Sequence, residues 1–244
     1  MLEVQGINTW RGPAQILRQL SISVGNRESV CLVGRNGAGK TTTIDSIIGL
    51  LPVRSGKVAF QGKEISGLPP HKRALLGIGY APEDAGLFTD LTVAENFQVC
   101  RWMAEASDRK DQVSEAETEQ RIFTVFPEVK KFTSRRGLFL SGGEKKMVAI
   151  ARAMALSPSV LLLDEPFEGL APVVVTRFIE AVKKIKEMGI SILIAESNLA
   201  NATRVADRLY AIDRGEIIYQ GDPQRVFENE DALRNGGAMM KKKT

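Results

Sequence analysis

Four apolar residues, Val30–Val33, lead directly into Gly34-Arg35-Asn36-Gly37-Ala38-Gly39-Lys40-Thr41-Thr42, and no other stretch constrains the fold as much. It fits G-x-x-x-x-G-K-[ST]. The glycines let consecutive backbone N–H groups turn toward phosphate oxygens, and a helix opening behind them presents its positive end. Lys40 is then placed to reach β- and γ-phosphates, and the Thr41 hydroxyl to meet Mg2+. A strand, a glycine turn and a helix in that order belong to an α/β fold.

The rest of the chain agrees with that class. Short apolar stretches bounded by Gly, Asp or Glu predict strands at Leu2–Ile7, Val30–Val33, Val58–Phe60, Ile78–Tyr80, Val160–Leu163, Ile190–Ala195, Leu209–Ile212 and Glu216–Tyr219. Val30–Val33, Val160–Leu163 and Ile190–Ala195 are apolar without alternation, as parallel strands buried on both faces are. Val174, Phe178, Val182, Ile185 and Met188 fall on one helical stripe, which Gly189 stops. From about Asp84 to Arg136 the composition shifts to Glu, Lys, Gln and Ala with no clear strand, which predicts a helical insertion between two parts of the sheet. Thr92 and Glu95 form a capping box that starts one of its helices. The last ten residues, NGGAMMKKKT, are expected to fray.

Composition removes several classes. The two cysteines, Cys31 and Cys100, lie far apart, which excludes a disulfide framework and a cysteine zinc site and favours a reducing compartment. MLEVQGINTW has no basic segment leading into an apolar run, and no apolar run approaches the ~20 residues of a membrane span. A cytosolic protein is expected. A net charge of +4, part of it in Lys241–Lys243, with no basic-aromatic array, gives no sign of nucleic acid. His71 is the single histidine, so a mechanism needing one elsewhere is excluded; in PPHKRA it is expected in a solvated loop.

Two further motifs carry chemistry. In VLLLDEP, Val160–Pro166, Asp164 emerges at the carboxyl end of a buried strand, where α/β sheets place ligands. Asp164 suits Mg2+, and Glu165 suits a general base for an attacking water. In LSGGEKK, Leu140–Lys146, Ser141 and Glu144 form a capping box, while Gly142 and Gly143 let a phosphate approach the N–H groups of a new helix.

In this order and spacing, the phosphate loop, LSGGE and the Asp164-Glu165 strand resemble the nucleotide-binding subunit of ATP-binding-cassette transporters. The likeness covers nearly the whole chain. It implies one cassette over residues 1–244: a phosphate-loop NTPase core with a mostly parallel sheet, an antiparallel N-terminal β portion, and a helical and signature insertion at about 84–156. ATP and Mg2+ are the implied cofactors. A head-to-tail dimer is implied too, with Gly34–Thr42 of one subunit facing Ser141–Glu144 of the other and Phe167–Pro172 crossing the interface. GIGYAPED, LFTDLTVAENF, LSGGEKKMVAIARAM and DEPFEGLAP are similar to the second ATPase subunit of branched-chain amino-acid importers. That implies integral-membrane permease subunits, a second cassette subunit as homo- or heterodimer, an extracytoplasmic solute-binding protein acting indirectly, and a peripheral place on the inner face of the cell membrane.

Three positions depart from the wider family. Glu83 stands where glutamine is usual; the branched-chain amino-acid subfamily also tends to carry glutamate there, and the carboxylate is a candidate for Mg2+ and for catalysis. Ser197 stands where a histidine typically donates to the γ-phosphate, and a hydroxyl stabilises transition-state charge less than an imidazole does. Near the N-terminus, Arg11 falls at the adenine-stacking position with Trp10 beside it, and either plane offers a π or cation–π face. These departures leave a second hypothesis, a degenerate or regulatory subunit that binds ATP and needs another ATPase chain for turnover. Importers of amides or urea share much of the same text. A cassette acting on DNA or ribosomes lacks support, having neither a second cassette nor a long coiled-coil insertion here.

Overall fold

A computed structural model of the chain describes residues 1–107, 109 and 113–228; the tail expected to fray lies outside them. The chain opens with β1 (Leu2–Arg11), β2 (Ala14–Val24) and β3 (Ser29–Val33), then α1 (Lys40–Ile48). β4 (Val53–Phe60), β5 (Lys63–Glu64), α2 (Pro70–Leu75) and β6 (Ile78–Ala81) follow. The helices α3 (Val93–Glu105), α4 (Glu115–Val125) and α5 (Gly142–Met154) precede β7 (Val160–Asp164). The chain then alternates through α6 (Pro172–Glu187), β8 (Ser191–Glu196) and α7 (Leu199–Val205), and closes with β9 (Arg208–Asp213) and β10 (Glu216–Gly221).

Two sheets form. The strands β2-β1-β4-β5 make an antiparallel sheet, and β10-β9-β3-β8-β7-β6 make a sheet that is parallel except for the edge strand β10. In the parallel sheet both faces are covered, and residue parity decides which core each side chain joins. Val30, Leu32, Val160, Leu162, Leu193 and Ala195 pack with α1 and the antiparallel sheet. Cys31, Val33, Leu161, Leu163, Ile192 and Ile194 pack on the opposite face with α5, α6 and the insertion. Each fully buried aliphatic side chain of this kind is worth roughly 1.5–3 kcal/mol.

Each strand expected from the sequence forms, with ends shifted by a few residues. One that spacing did not predict is β2. Its buried residues Leu17 and Leu20 are three apart, because a bulge with Gln19 at φ 47° shifts the register between Ile7↔Leu20 and Thr9↔Leu17. A bulge breaks period-two alternation and so hides the strand. His71 is a second correction: it is exposed as expected, but on the short helix α2 rather than in a loop.

The insertion is anchored to α6. Phe126 packs on Phe178 with ring centroids 5.8 Å apart, and Arg177 donates to Glu128 at 2.7 Å and to the Val125 carbonyl. Both capping boxes form, at Thr92–Glu95 opening α3 and at Ser141–Glu144 opening α5. α6 ends as its stripe predicts, with Gly189 at φ 87° just past its C-cap Met188.

The phosphate-loop helix is held at both ends. At its C-terminus the buried Arg73 donates to the carbonyls of Ser46 and Ile47 at 2.8 and 2.7 Å, and also to Leu68 and Ser66, which satisfies carbonyls that a helix end leaves open. At its N-terminus the β9–β10 turn, Arg214-Gly215, has both residues at positive φ, 47° and 83°, the requirement of a tight two-residue hairpin. Gly215 donates to Ala38 O at 2.8 Å and accepts from Arg18 N at 3.0 Å, tying the loop to β2. A Cβ there would stand 1.7 Å from Ile16 O. Gly215→Ala is therefore expected to cost about 3 kcal/mol or more. Gly12→Ala, at φ 56° with nothing within 4 Å, should cost only the strain of about 1–2 kcal/mol. Urea unfolding of the two variants measures the contrast, and equal losses would show that the Ile16 contact relaxes freely.

Candidate functional site

Parallel pairing brings several chain segments to one edge. The registers Val33↔Glu196, Asp164↔Ala195 and Ala81↔Leu163 put the carboxyl ends of β3, β8, β7 and β6 side by side. Each end releases its next residues into the same space: Gly34–Thr42, Ser197, Glu165 and Glu83. A cavity of about 320 Å3 opens there, lined by Arg11, Ile16, Asn36, Gly37, Gly39, Lys40, Thr41, Thr42, Glu83, Glu165 and Glu168. A larger hollow of about 530 Å3 lies by β1, β2 and β9, but its guanidinium, on Arg208, is taken up by Glu28, Ser23 and Tyr210.

The loop is built by steric exclusion. Gly37 and Gly39 sit at φ 82° and 116°, where a side chain is strained, and a Cβ on Gly34 would stand 2.5 Å from Ile212 O. Lys40, at the first position of α1, is buried. Its ammonium donates to Gly34 O at 2.8 Å and Arg35 O at 3.2 Å and pairs with Glu165 Oε1 at 3.0 Å.

Glu165 sits on a sharp bend after β7 at φ 45°. That is the left-handed region, which costs a non-glycine residue about 1–2 kcal/mol. Its N–H donates to Ala195 O at 2.9 Å. Its Oε2 accepts from the Ser197 N–H at 3.0 Å and from the Ser197 hydroxyl at 3.1 Å. Ser197 thus grips the carboxylate that the sequence marks as a general base.

Asp164 is different. Neither of its carboxylate oxygens has a hydrogen-bond partner among the described residues, and both are buried. Burial raises its carboxyl to about 6; the Thr41 hydroxyl opposes the rise, and the charges of Glu165, Glu83 and Asp45 add to it. A buried carboxylate with unmet acceptor capacity beside a hydroxyl and a phosphate loop is a donor set that fits Mg2+. That ion takes one or two protein oxygens and draws its remaining ligands from phosphate and water. Among the described residues there is no cluster of three or more His, Cys, Asp and Glu of the kind an all-protein metal site needs.

Sequence reasoning missed Glu196, the last residue of β8, because an acidic residue after an apolar run looks like a strand boundary. It is buried, and its Oε1 accepts from the N–H groups of Ser197 and Asn198 at 3.0 and 2.8 Å. Burial raises its carboxyl to about 7, with the two amides opposing and Glu165 adding. Glu83 is also raised, through desolvation and then through a hydrogen bond with Glu168.

The remaining candidates divide. Arg11 lines the cavity, clamped to α1 by Thr42 Oγ1 at 3.1 Å and by Asp45 at 2.5 Å. Trp10, adjacent on β1 and so on the opposite face, stacks instead under Arg54, 4.6 Å from guanidinium to ring centroid. Ser141, Gly142, Gly143 and Glu144 do not line the cavity. They form the opening turn of α5, with Ser141 and Gly142 exposed and Glu144 paired with Arg135 at 3.2 Å.

A glycine phosphate loop, a buried aspartate with no hydrogen-bond partner among the described residues and a clamped glutamate at one sheet edge fit a nucleotide-hydrolase class of site. The comparisons with known proteins place the chain within that class. The profile of the ABC transporter family matches residues 17–168, and the chain belongs to that family as the ATPase subunit of a transporter. The lipopolysaccharide export system ATP-binding protein LptB of Haemophilus influenzae is 37% identical over 222 residues, 90% of each chain. The high-affinity branched-chain amino acid transport ATP-binding protein BraG of Pseudomonas aeruginosa is 33% identical over 229 residues, 94% of this chain and 96% of its own. Among solved structures, the ADP conformation of MJ1267, an ATP-binding cassette of an ABC transporter, superposes with a TM-score of 0.82 at 28% identity, covering 96% of this chain and 97% of that one.

The carboxyls of Asp164 and Glu196, raised to about 6 and about 7, bind protons more tightly in the folded chain than in the unfolded one. Their contribution to stability is therefore greatest below about pH 4 and declines as pH rises through about 4 to 7. Glu196→Gln keeps an acceptor for the two amides and removes the charge. It should raise stability at pH 8 and leave it unchanged near pH 4, measured by denaturant unfolding at both values. A loss at pH 8 would mean that the charge is compensated in the fold.

Proposed function

We propose that this chain hydrolyses ATP in a dimer of cassettes and powers import of branched-chain amino acids through a membrane permease, as a peripheral subunit on the inner face of the membrane. The observation that carries the hydrolysis is the pair at the end of β7: an unpartnered Asp164 beside Thr41, and Glu165 gripped by Ser197 and Lys40. Thr41 and Asp164 would hold Mg2+, with Glu83 on the cavity wall; when bound, the ion neutralises charge on the phosphates. Asn36 to Thr42 wrap the phosphates with backbone N–H groups, and Arg11 offers its guanidinium face to the base. Phosphate oxygens compete for the Lys40 ammonium and free Glu165 Oε1. Glu165 then accepts a proton from the water that attacks the γ-phosphorus, the β–γ bridging P–O bond breaks, and ADP and phosphate leave. Ser197, in the place of the family's histidine, keeps Glu165 aimed.

Two apolar surfaces support the partners. Leu138 and Phe139, just before the Ser141–Glu144 turn, are exposed, as is Val173 in the first turn of α6, and a second cassette would cover them. A groove of about 270 Å3 lined by Leu50, His71, Tyr80 and Met103 lies near the root of the insertion, a fit for a short apolar permease helix. Glu83 and DEPFEGLAP favour the amino-acid importers, as does the 33% identity to BraG, and a solute-binding protein outside the membrane would set the solute. The likeness to LptB favours a second reading, the same ATPase driving lipopolysaccharide export.

Mg-ATP hydrolysis by the purified chain over a range of concentrations tests the dimer. The expected rate rises faster than linearly with concentration and falls about 10^2–10^4-fold in Glu165→Gln with nucleotide binding retained. Binding without turnover would overturn self-sufficiency and point to a hetero-pair. For the solute, the chain is reconstituted with the permease that co-purifies with it. ATP-dependent leucine uptake supports import, and stimulation by lipopolysaccharide alone overturns it.

A further inference from the structure

The helix that opens at Ser141–Glu144 does more than present its N-terminus. Further along α5, Lys146 turns back into its own chain, and its ammonium donates to the main-chain carbonyl of Glu165 at 2.5 Å. That carbonyl also accepts from Glu168 N–H at 3.2 Å within the same turn, so Lys146 is the donor that reaches this carbonyl from a separate element. A glutamate at positive φ persists only where its surroundings over-determine it, and here every polar group of Glu165 is engaged. Ala195 takes the N–H, Lys40 and Ser197 take the carboxylate, and Lys146 and Glu168 take the carbonyl.

Charge points the same way. Lys146 is half-buried, and the carboxylates that face it are Glu168, Glu196, Glu83 and Glu165. These come from the loop after β7, the end of β8 and the loop after β6. Lys40, from α1, pairs with Glu165 Oε1 at 3.0 Å. Lys146 thus places a positive charge among Glu168, Glu196 and Glu83 beside the Glu165 bend.

We propose that Lys146 is a positioning residue for ATP hydrolysis, pinning the Glu165 bend to the helix whose N-terminus meets the partner cassette's nucleotide. The aim of the general base in one site then depends on what that helix contacts in the other. The proposal rests on the reading of Glu165 as the general base and of the chain as a dimer.

The test compares Lys146→Met, close in length but uncharged, with Lys146→Arg. Amide hydrogen exchange is followed at Glu165 and Ser197, and steady-state Mg-ATP hydrolysis is measured alongside. In Lys146→Met, exchange at those two amides should rise at least about tenfold with β3 and α1 unchanged. kcat should fall about 10–100-fold with KM within about twofold, and Lys146→Arg should restore both. Unchanged exchange at Glu165 and Ser197 overturns the proposal even if turnover falls, as does loss of protection throughout the chain or an unchanged kcat. If the wild-type chain fails to hydrolyse ATP, the general-base reading fails separately, and the exchange data still decide whether Lys146 holds the bend.

Discussion

Burial of negative charge at one sheet edge is the constraint around which the rest of this structure is arranged. Asp164, Glu165 and Glu196 stand at the ends of two neighbouring strands, each nearly inaccessible to water, with Glu83 and Glu168 just outside. Carboxylates so close cannot all be charged at little cost, and the molecule answers in three ways. Lys40 and Lys146 supply positive charge from two different helices. Backbone N–H groups of Ser197 and Asn198 meet Glu196. Asp164 has no hydrogen-bond partner within range among the described residues, and burial pushes its carboxyl up to about 6 despite the nearby Thr41 hydroxyl. A site poised this way favours a ligand that brings a divalent cation and takes up the lysine, which describes Mg-ATP.

The same constraint gives meaning to the departures from the wider family. On the resemblance, Glu83 standing where glutamine is usual would add a carboxylate, and Ser197 standing where histidine is usual would remove an imidazole. Ser197 compensates in part by geometry: two donors from one short residue fix Glu165 Oε2. Lys146 compensates by charge. On the proposed reading of Glu165 as the general base, neither role needs a γ-phosphate contact, so what holds Glu165 would be separable from direct stabilisation of the transferred phosphoryl group.

Precision at the site also depends on parts far from it in sequence. The buried Arg73 caps the C-terminus of α1, and the Arg214-Gly215 turn braces Ala38 at the other end. The insertion is held through Arg177 and Phe126, on the helix α6 that begins where the Glu165 loop ends. Rigid elements therefore reach the chemistry from both faces of the parallel sheet, which explains how a helical insertion and a phosphate loop can share one catalytic edge.

Much of this was legible in the sequence, because it follows from local chemistry. Glycine spacing at Gly34–Thr42 dictates a phosphate turn, uninterrupted apolar runs dictate parallel strands, and Ser141–Glu144 and Thr92–Glu95 dictate helix starts from residues three apart. The strand β2 was hidden by a bulge that resets its alternation, and Arg73 and Glu196 carried no local signal because their roles are burial and long-range contact. Spacing could not choose between Trp10 and Arg11 at the cavity either; strand parity, fixed only once β1 pairs with β2 and β4, turns Arg11 toward α1 and Trp10 toward Arg54. The grip of Ser197 on Glu165, 32 residues apart, and of Lys146 on the same bend, 19 residues apart, exists only because parallel pairing and the seating of α5 bring those segments together. Sequence by itself determined the class of chemistry, since the phosphate loop Gly34–Thr42 and the Asp164-Glu165 pair are each short contiguous motifs. Tertiary structure decided how Glu165 is held, since that depends on distances between segments that no local pattern encodes.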